Sequence, residues 1–274
     1  MSDALNPSPR IIAIANQKGG VGKTTTAINL AAALVETGAR VLLVDLDPQG
    51  NASTGLGVEV KDRRLTTYDL LMDDTPIAEV IRRTAFERLY LCPANADLSS
   101  ADMQLVTNEK RSFLLHDALR HPGIDDFAFD AVLIDCPPSL SLLTVNALVA
   151  AHSVLVPLQS EFFALEGLSQ LMLTIREVRA TANPALRIEG VVLTMYDGRN
   201  NLSQLVEADA RATLGDLVFK TVVPRNVRVS EAPSYALPVL SYDSTSRGAI
   251  AYRELAAEIV ARHPFGTTVK ETAP

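Results

Sequence analysis

Short apolar runs recur along the chain, and each empties into a polar or Gly/Pro-containing loop. Residues 11–15, Val41–Asp45, Leu89–Cys92, Ala131–Asp135, 154–157, 188–194 and 217–223 have this form. Runs of this length, apolar at successive positions and bounded by turn residues, predict strands buried on both faces. Between them the apolar spacing changes to three and four. Residues 25–34 read as a helix, as do 164–182 with Leu165, Leu168, Leu171, Met172, Ile175 and Val178 on one face. So do 202–214, closed by Gly215, and 247–260 with Tyr252, Leu255, Ala256 and Ile259 on one face. Residues 111–120 carry Phe113, Leu114, Leu115, Ala118 and Leu119 at helical spacing, and shorter helices are predicted at Thr67–Met72 and 77–83. Strand and helix alternate, which predicts an α/β fold: a mainly parallel twisted sheet with helices on both faces.

The chain has 274 residues, 47% of them hydrophobic, enough to bury one large core. No Gly/Ser- or Pro-rich linker divides it, so a single domain over 10–262 is expected, with flexible segments at 1–9 and 263–274. The first ten residues hold Pro7 and Pro9 and no apolar core, which predicts a frayed start and not a signal peptide. The most apolar stretch, 140–158, is broken by Asn146, His152 and Pro157 and does not read as a membrane span. Cys92 and Cys136 are too few and too far apart for a disulfide framework, a zinc site or a redox cluster. A cytoplasmic location follows as the expectation. The net charge of −7 argues against a globally basic nucleic-acid binder, but residues 176–228 carry 8 basic and 6 acidic side chains and are the net-positive segment.

The first strand runs into Gln17-Lys18-Gly19-Gly20-Val21-Gly22-Lys23-Thr24-Thr25, and a helix follows at once. Strand, glycine loop and helix form the setting of a phosphate-binding loop. Glycines let backbone N–H groups close around an anion, and the helix N-terminus adds its partial positive charge. In this reading Lys18 to Thr25 surround the phosphates of ATP, Lys23 reaches the β- and γ-phosphates, and the Thr24 hydroxyl ligates Mg²⁺. The pattern is broken at its first position, where Gln17 replaces glycine, and a second lysine, Lys18, stands beside the break.

Two further strand ends carry carboxylates. Val41–Asp45 leads into Leu46-Asp47-Pro48-Gln49-Gly50, where Asp47 is placed to orient the attacking water or to hold a water on Mg²⁺. Ala131–Asp135 leads into Cys136-Pro137-Pro138-Ser139, and four apolar residues ending in Asp135 form the arrangement that contacts Mg²⁺ in phosphoryl-transfer sites. Cys136 reads as a small apolar packing residue beside that site, and His116 and His121 as surface or packing residues. Two late loops also follow strands, 195–201 with Arg199 and 224–228 with Arg225 and Arg228. The chain has no Trp and few other aromatic residues, so any nucleic-acid contact is expected through duplex phosphates and not through stacking of single-stranded bases.

Lys18-Gly-Gly-Val-Gly-Lys-Thr-Thr, Asp47-Pro-Gln-Gly-Asn, Asp135-Cys-Pro-Pro-Ser and Pro224-Arg-Asn-Val-Arg together resemble the ParA/MinD class of ATPases, whose phosphate loop is the deviant Walker A motif. The resemblance spans about residues 10–262 and is nearest to the ParA/Soj branch. It implies that Lys18 crosses a homodimer interface to the partner's nucleotide, that Asp47 is needed for hydrolysis, and that Pro224, Arg225 and Asn226 flank the adenine. It implies that Arg199 and Arg228 contact double-stranded DNA without sequence preference, and that a ParB-type centromere-binding partner stimulates hydrolysis. It also implies nucleoid association. The loop begins close to residue 1, which carries the expectation that the additional DNA-binding domain of some larger plasmid relatives is absent, and autoregulation with it. A membrane-recruited, MinD-like positioning ATPase is the alternative. It calls for a basic amphipathic C-terminal helix, whereas Arg262 and Lys270 are the basic residues after Val260, separated by Pro264 and Gly266. A metabolic P-loop enzyme, such as an ATP-dependent ligase, would need a second substrate pocket that no motif identifies.

Overall fold

A computed structural model describes residues 8–264 except 106, 107, 109, 162 and 163. The segments expected to be flexible therefore lie outside the described residues, apart from 8–9 and 263–264. The elements, in chain order, are β1 (Arg10–Ile14), α1 (Lys23–Glu36), β2 (Val41–Asp45), α2 (Asn51–Gly55), α3 (Thr67–Met72), α4 (Ile77–Val80), β3 (Arg82–Arg83), β4 (Leu89–Cys92), α5 (Leu98–Gln104) and α6 (Leu114–Ala118). They continue as β5 (Ala131–Asp135), α7 (Leu142–Ala150), β6 (Ser153–Gln159), α8 (Ala164–Thr181), β7 (Arg187–Tyr196), α9 (Asn201–Leu214), β8 (Val218–Pro224), α10 (Val227–Glu231), α11 (Val239–Tyr242) and α12 (Arg247–Arg262).

The strands form one eight-stranded sheet in the order β3-β4-β2-β5-β1-β6-β7-β8. All neighbours are parallel except the short edge pair β3–β4. Successive side chains of a strand point to opposite faces, and the core divides accordingly. Ile11 and Ala13 join Val132, Ile134, Val154 and Leu171 on one face; Ile12 and Ile14 join Leu30, Leu34, Leu255 and Ile259 on the other. The second face is closed by α1 and α12, whose apolar stripes pack on each other and on the sheet. With helices on both faces, β1, β2 and β5 are buried almost along their length, which explains their unbroken apolar sequences.

Register places the chemistry. Ile14 pairs with Asp135, and Asp45 pairs with Asp135, so β1, β5 and β2 end at one level with β5 between them. The loops that leave these strands therefore emerge side by side at the carboxyl edge, where open parallel sheets bind ligands. β7 and β8 end at the same edge, with Tyr196 opposite Pro224.

Candidate nucleotide and phosphate site

Helix α1 begins directly on the glycine loop. Its N-cap, Gly22, has φ +84°, a left-handed conformation that glycine adopts without strain. The first turn of α1 holds no acidic residue, so no side chain neutralises the helix dipole there. None of the N–H groups of Gly19, Gly20, Val21 and Gly22 meets a protein acceptor among the described residues, which leaves them to an anion. The loop is held from behind. Asn16, buried, donates to Pro157 O at 2.8 Å and accepts from Lys18 N at 3.0 Å. The Thr194 hydroxyl, at the end of β7, donates to Val21 O at 2.8 Å. Neither Asn16 nor Thr194 has a sequence signal beyond standing at a strand end, and both were missed for that reason.

Lys23 is buried, and its Nζ donates to Lys18 O at 3.0 Å. Burial lowers its pKa, while Asp135, Cys136 and Asp47 nearby favour the charged form. Asp135 is fully buried, and among the described residues neither carboxylate oxygen finds a hydrogen-bond partner of full geometry. Burial raises its pKa well above the usual carboxylate range, helped by Asp45 and Asp47, while the Thr24 hydroxyl and Lys23 act in the opposite direction. An orphaned carboxylate beside a hydroxyl is a fit for a hard cation: both donors are oxygens, and Mg²⁺ completes its shell with water and phosphate oxygens. Among the described residues no group of three or more His, Cys, Asp or Glu side chains is arranged to hold a metal by itself.

Asp47 stands at the top of β2, buried, with its Oδ1 accepting from Gln49 N at 3.0 Å. Asp45 has a different task. It is fully buried and accepts from Ser53 Oγ at 2.6 Å, Ser53 N at 2.8 Å and Asp47 N at 3.2 Å, so it ties α2 and the Asp47 loop to β2. Burial raises its pKa to about 6 against the pull of these donors. A Cβ on Gly19 would lie 3.9 Å from Pro138 Cβ, which puts the loop after β5 against the glycine loop. Cys136 is buried in the apolar core, and burial raises its thiol pKa, so it packs as expected.

Lys18 turns away from Lys23. Its Nζ pairs with Glu161 at 3.2 Å, and about a third of the side chain stays exposed. It lines a cavity of about 530 Å³ together with Glu161, Asp197 and Arg225, so the structure brings the second lysine and the predicted adenine loop to one opening. Arg225 N donates to Tyr196 O, and Asn226 caps α10 by accepting from Arg228 N at 2.8 Å. Arg199 and Arg228 sit on the same edge, both exposed and both paired. Arg199 forms a two-point bond with Asp197, both at 3.1 Å; Arg228 meets Glu231 at 2.9 Å and Asp243 at 3.4 Å.

A glycine loop opening a helix, a buried lysine and an orphaned carboxylate at the neighbouring strand tip define a P-loop nucleotide-binding protein of the deviant Walker A type. The comparisons agree. The AAA domain family matches residues 9–188. The chromosome partitioning protein ParA of Caulobacter vibrioides (strain NA1000 / CB15N) is 56% identical over 253 residues, 92% of this chain and 94% of the relative. The sporulation initiation inhibitor protein Soj of Bacillus subtilis (strain 168) is 51% identical over 252 residues, 92% of this chain and 98% of the relative. A structure of cobyrinic acid a,c-diamide synthase from Mycobacterium smegmatis with bound ATP analog and magnesium is 41% identical, covers 91% of this chain and 93% of its own, and superposes with a TM-score of 0.78. The cell division ATPase MinD of Pyrococcus furiosus is 29% identical over 92% of this chain and 99% of its own, with a TM-score of 0.76. The chain belongs to the AAA-domain family and, within it, to the ParA/Soj chromosome-partitioning ATPases.

Proposed function

We propose that residues 10–262 act as one Mg²⁺-dependent ATPase domain that hydrolyses ATP to ADP and phosphate and uses the cycle to partition DNA. The observation that carries this reading is the buried, orphaned Asp135 carboxylate set between the glycine loop and the Asp47 loop. Gly19 to Thr25 bind the triphosphate through backbone N–H groups, and Lys23 neutralises the β- and γ-phosphates. Thr24, Asp47 and Asp135 would hold Mg²⁺. Bound Mg²⁺ supplies charge neutralisation of the β- and γ-oxygens. Asp47 orients the attacking water. Pro224, Arg225 and Asn226 flank the adenine.

ATP closes a sandwich homodimer in which Lys18 leaves Glu161 and reaches the partner's phosphates. The dimer presents two copies of Arg199 and Arg228 to duplex phosphates, and a ParB-type partner stimulates hydrolysis and release. The protein works in the cytoplasm on the nucleoid. No helix among the described residues is long and apolar enough to cross a membrane. The partition relatives share 56% and 51% identity with the chain and the M. smegmatis synthase 41%, so partition is favoured over a synthase.

The test is Asp47→Ala. Hydrolysis is expected to fall by about 10²–10⁴-fold, the range for loss of a group that acts on the attacking nucleophile. Affinity for Mg-ATP, measured by equilibrium fluorescence, is expected to stay near wild type. Parallel loss of affinity and turnover would remove the water-orienting role from Asp47.

A further inference from the structure

We propose that Arg63 is a positioning residue for hydrolysis: its guanidinium clamps the loop that carries Asp47. The proposal rests on the role of Asp47 given above. Arg63 is buried, and all three of its nitrogens donate. Nη1 bonds Ala94 O at 2.9 Å; Nη2 bonds Thr54 Oγ1 at 2.7 Å, Val58 O at 2.9 Å and Gly50 O at 3.3 Å; Nε bonds Val58 O at 3.1 Å. These acceptors come from three segments: Gly50 and Thr54 at the N-cap and near the end of α2, the chain just after α2, and the loop after β4. Among the described residues no carboxylate lies within ion-pair distance of Arg63, and the buried Asp45 is the charge that offsets it from farther off.

A structural arginine on a surface would not need this arrangement. Helix α2 has five residues, far below the length at which a helix persists alone, so its position is set by what ties it down. There are two ties. Asp45 holds Ser53 and the Asp47 amide from the strand side, and Arg63 holds Gly50 and Thr54 from the opposite end. Ala94 joins them, since its N–H donates to Ser53 Oγ at 3.0 Å while its carbonyl accepts from Arg63. Asp47 lies on the short span between the two ties, and Gly50 N closes that span on Asp47 O at 2.8 Å. The residue type at position 50 follows from the clamp. Gly50 has φ +61°, and a Cβ there would meet Arg63 Nη1 at 2.1 Å and Ala94 O at 3.1 Å. A lysine has a single donor head and cannot reproduce the planar fork that gathers four acceptors.

The experiment uses the full chain with Arg63→Lys and Arg63→Met, each shown to be folded by circular dichroism at the assay temperature. Single-turnover hydrolysis is expected to slow by about 10–10²-fold, the loss expected of a reacting group displaced by about 1 Å. The Kd for Mg-ATP is expected to change by less than about threefold, the split that marks an interaction used after binding. Amide exchange over residues 47–58 should quicken in the nucleotide-free variant. If Arg63→Met does not fold, Gly50→Ala is the second variant: it keeps the guanidinium, displaces it from the loop and should give the same split. Folded variants that turn over within about twofold of wild type, or that lose affinity and turnover together, overturn the proposal. Wild-type protein without turnover in the same assay overturns the hydrolysis reading and this one with it, which distinguishes the two failures.

Discussion

Titratable residues with shifted pKa values lie at both ends of the sheet, with different surroundings. At the carboxyl edge, Asp135 and Lys23 carry ionisable groups into the proposed phosphate site, while Asp45 is buried under α2 and bonds Ser53 and the Asp47 amide. At the opposite end, His152 has a purely structural setting. It precedes β6, its Nδ1 accepts from Ile11 N at 2.9 Å, and it donates its own backbone N–H to Ile11 O. Burial, and then the charges of Arg120, Arg10 and Arg187, lower its pKa from 6.5 to about 4. The unfolded chain thus binds the extra proton between about pH 6.5 and 4 while the folded chain does not, so stability is full above that window and falls as pH drops through it. The expected loss is up to about 3 kcal/mol. Asp45, with its folded pKa raised to about 6, has the opposite sign: its contribution is present at low pH and is lost as pH rises toward 6. Urea denaturation of wild type and His152→Asn from pH 4.5 to 7 separates the two, since Asp45 is common to both proteins. The variant is expected to show the shallower loss on acidification, and parallel curves would refute the assignment. For single residues, the motifs put Lys23, Asp47 and Asp135 at the ends of strands and at a helix start, and the structure brings these positions to one edge of the sheet. Arg63, Thr194 and Ser53 were not legible in the sequence, because their roles depend on contacts with segments far away in the chain.

At the scale of elements, the long periodic helices and the buried strands were legible because each carries its own period. The sequence predicted one helix over 77–83; the structure has α4 over Ile77–Val80 and then β3, whose Arg82 and Arg83 pair antiparallel with β4. Apolar spacing over so few residues fits either state, and the edge of the sheet decides. The helix predicted over 111–120 shortens to Leu114–Ala118, since Asn146 Nδ2 caps Arg111 O and holds the chain before it in turns. Helix α2 carries no apolar period; Ala52 anchors it in the core, and Asp45 and Arg63 hydrogen-bond Ser53 and Thr54. Between β6 and β7 the register shifts beside Gly190, where the ring of Phe219 packs onto the bare backbone. A Cβ there would lie 2.4 Å from Phe219 Cε2 and 2.9 Å from Leu217 O. Gly190→Ala is expected to destabilise the protein by about 1–3 kcal/mol through overpacking, read as a lower urea midpoint with unchanged slope. An unchanged midpoint would mean that β8 moves aside freely.

The whole molecule is acidic, and its proposed DNA contacts are compensated within the monomer. Arg199 is held by Asp197, and Arg228 by Glu231 and Asp243, so one subunit offers little net positive field. Assembly is what would change this, by setting two copies of the edge against one duplex. In the proposed dimer, Lys18 is the residue that reaches the partner's nucleotide. In the monomer it rests on Glu161 through an exposed pair worth no more than about 1 kcal/mol, so ATP on a partner subunit can readily displace it. Lys18→Ala is expected to keep Mg-ATP affinity and to lose the ATP-dependent dimer in size-exclusion chromatography; a normal ATP dimer would contradict the trans role. The central claim joins nucleotide to DNA, and a gel shift on duplexes of unrelated sequence tests it directly. With ATP the wild type should shift every duplex alike, with an affinity that falls steeply as salt rises. With ADP or no nucleotide it should not shift them. Arg228→Glu should abolish the ATP shift, and Asp197→Asn, which frees Arg199, should strengthen it. Equal binding with ATP, ADP and no nucleotide, or no binding with ATP, would contradict the account.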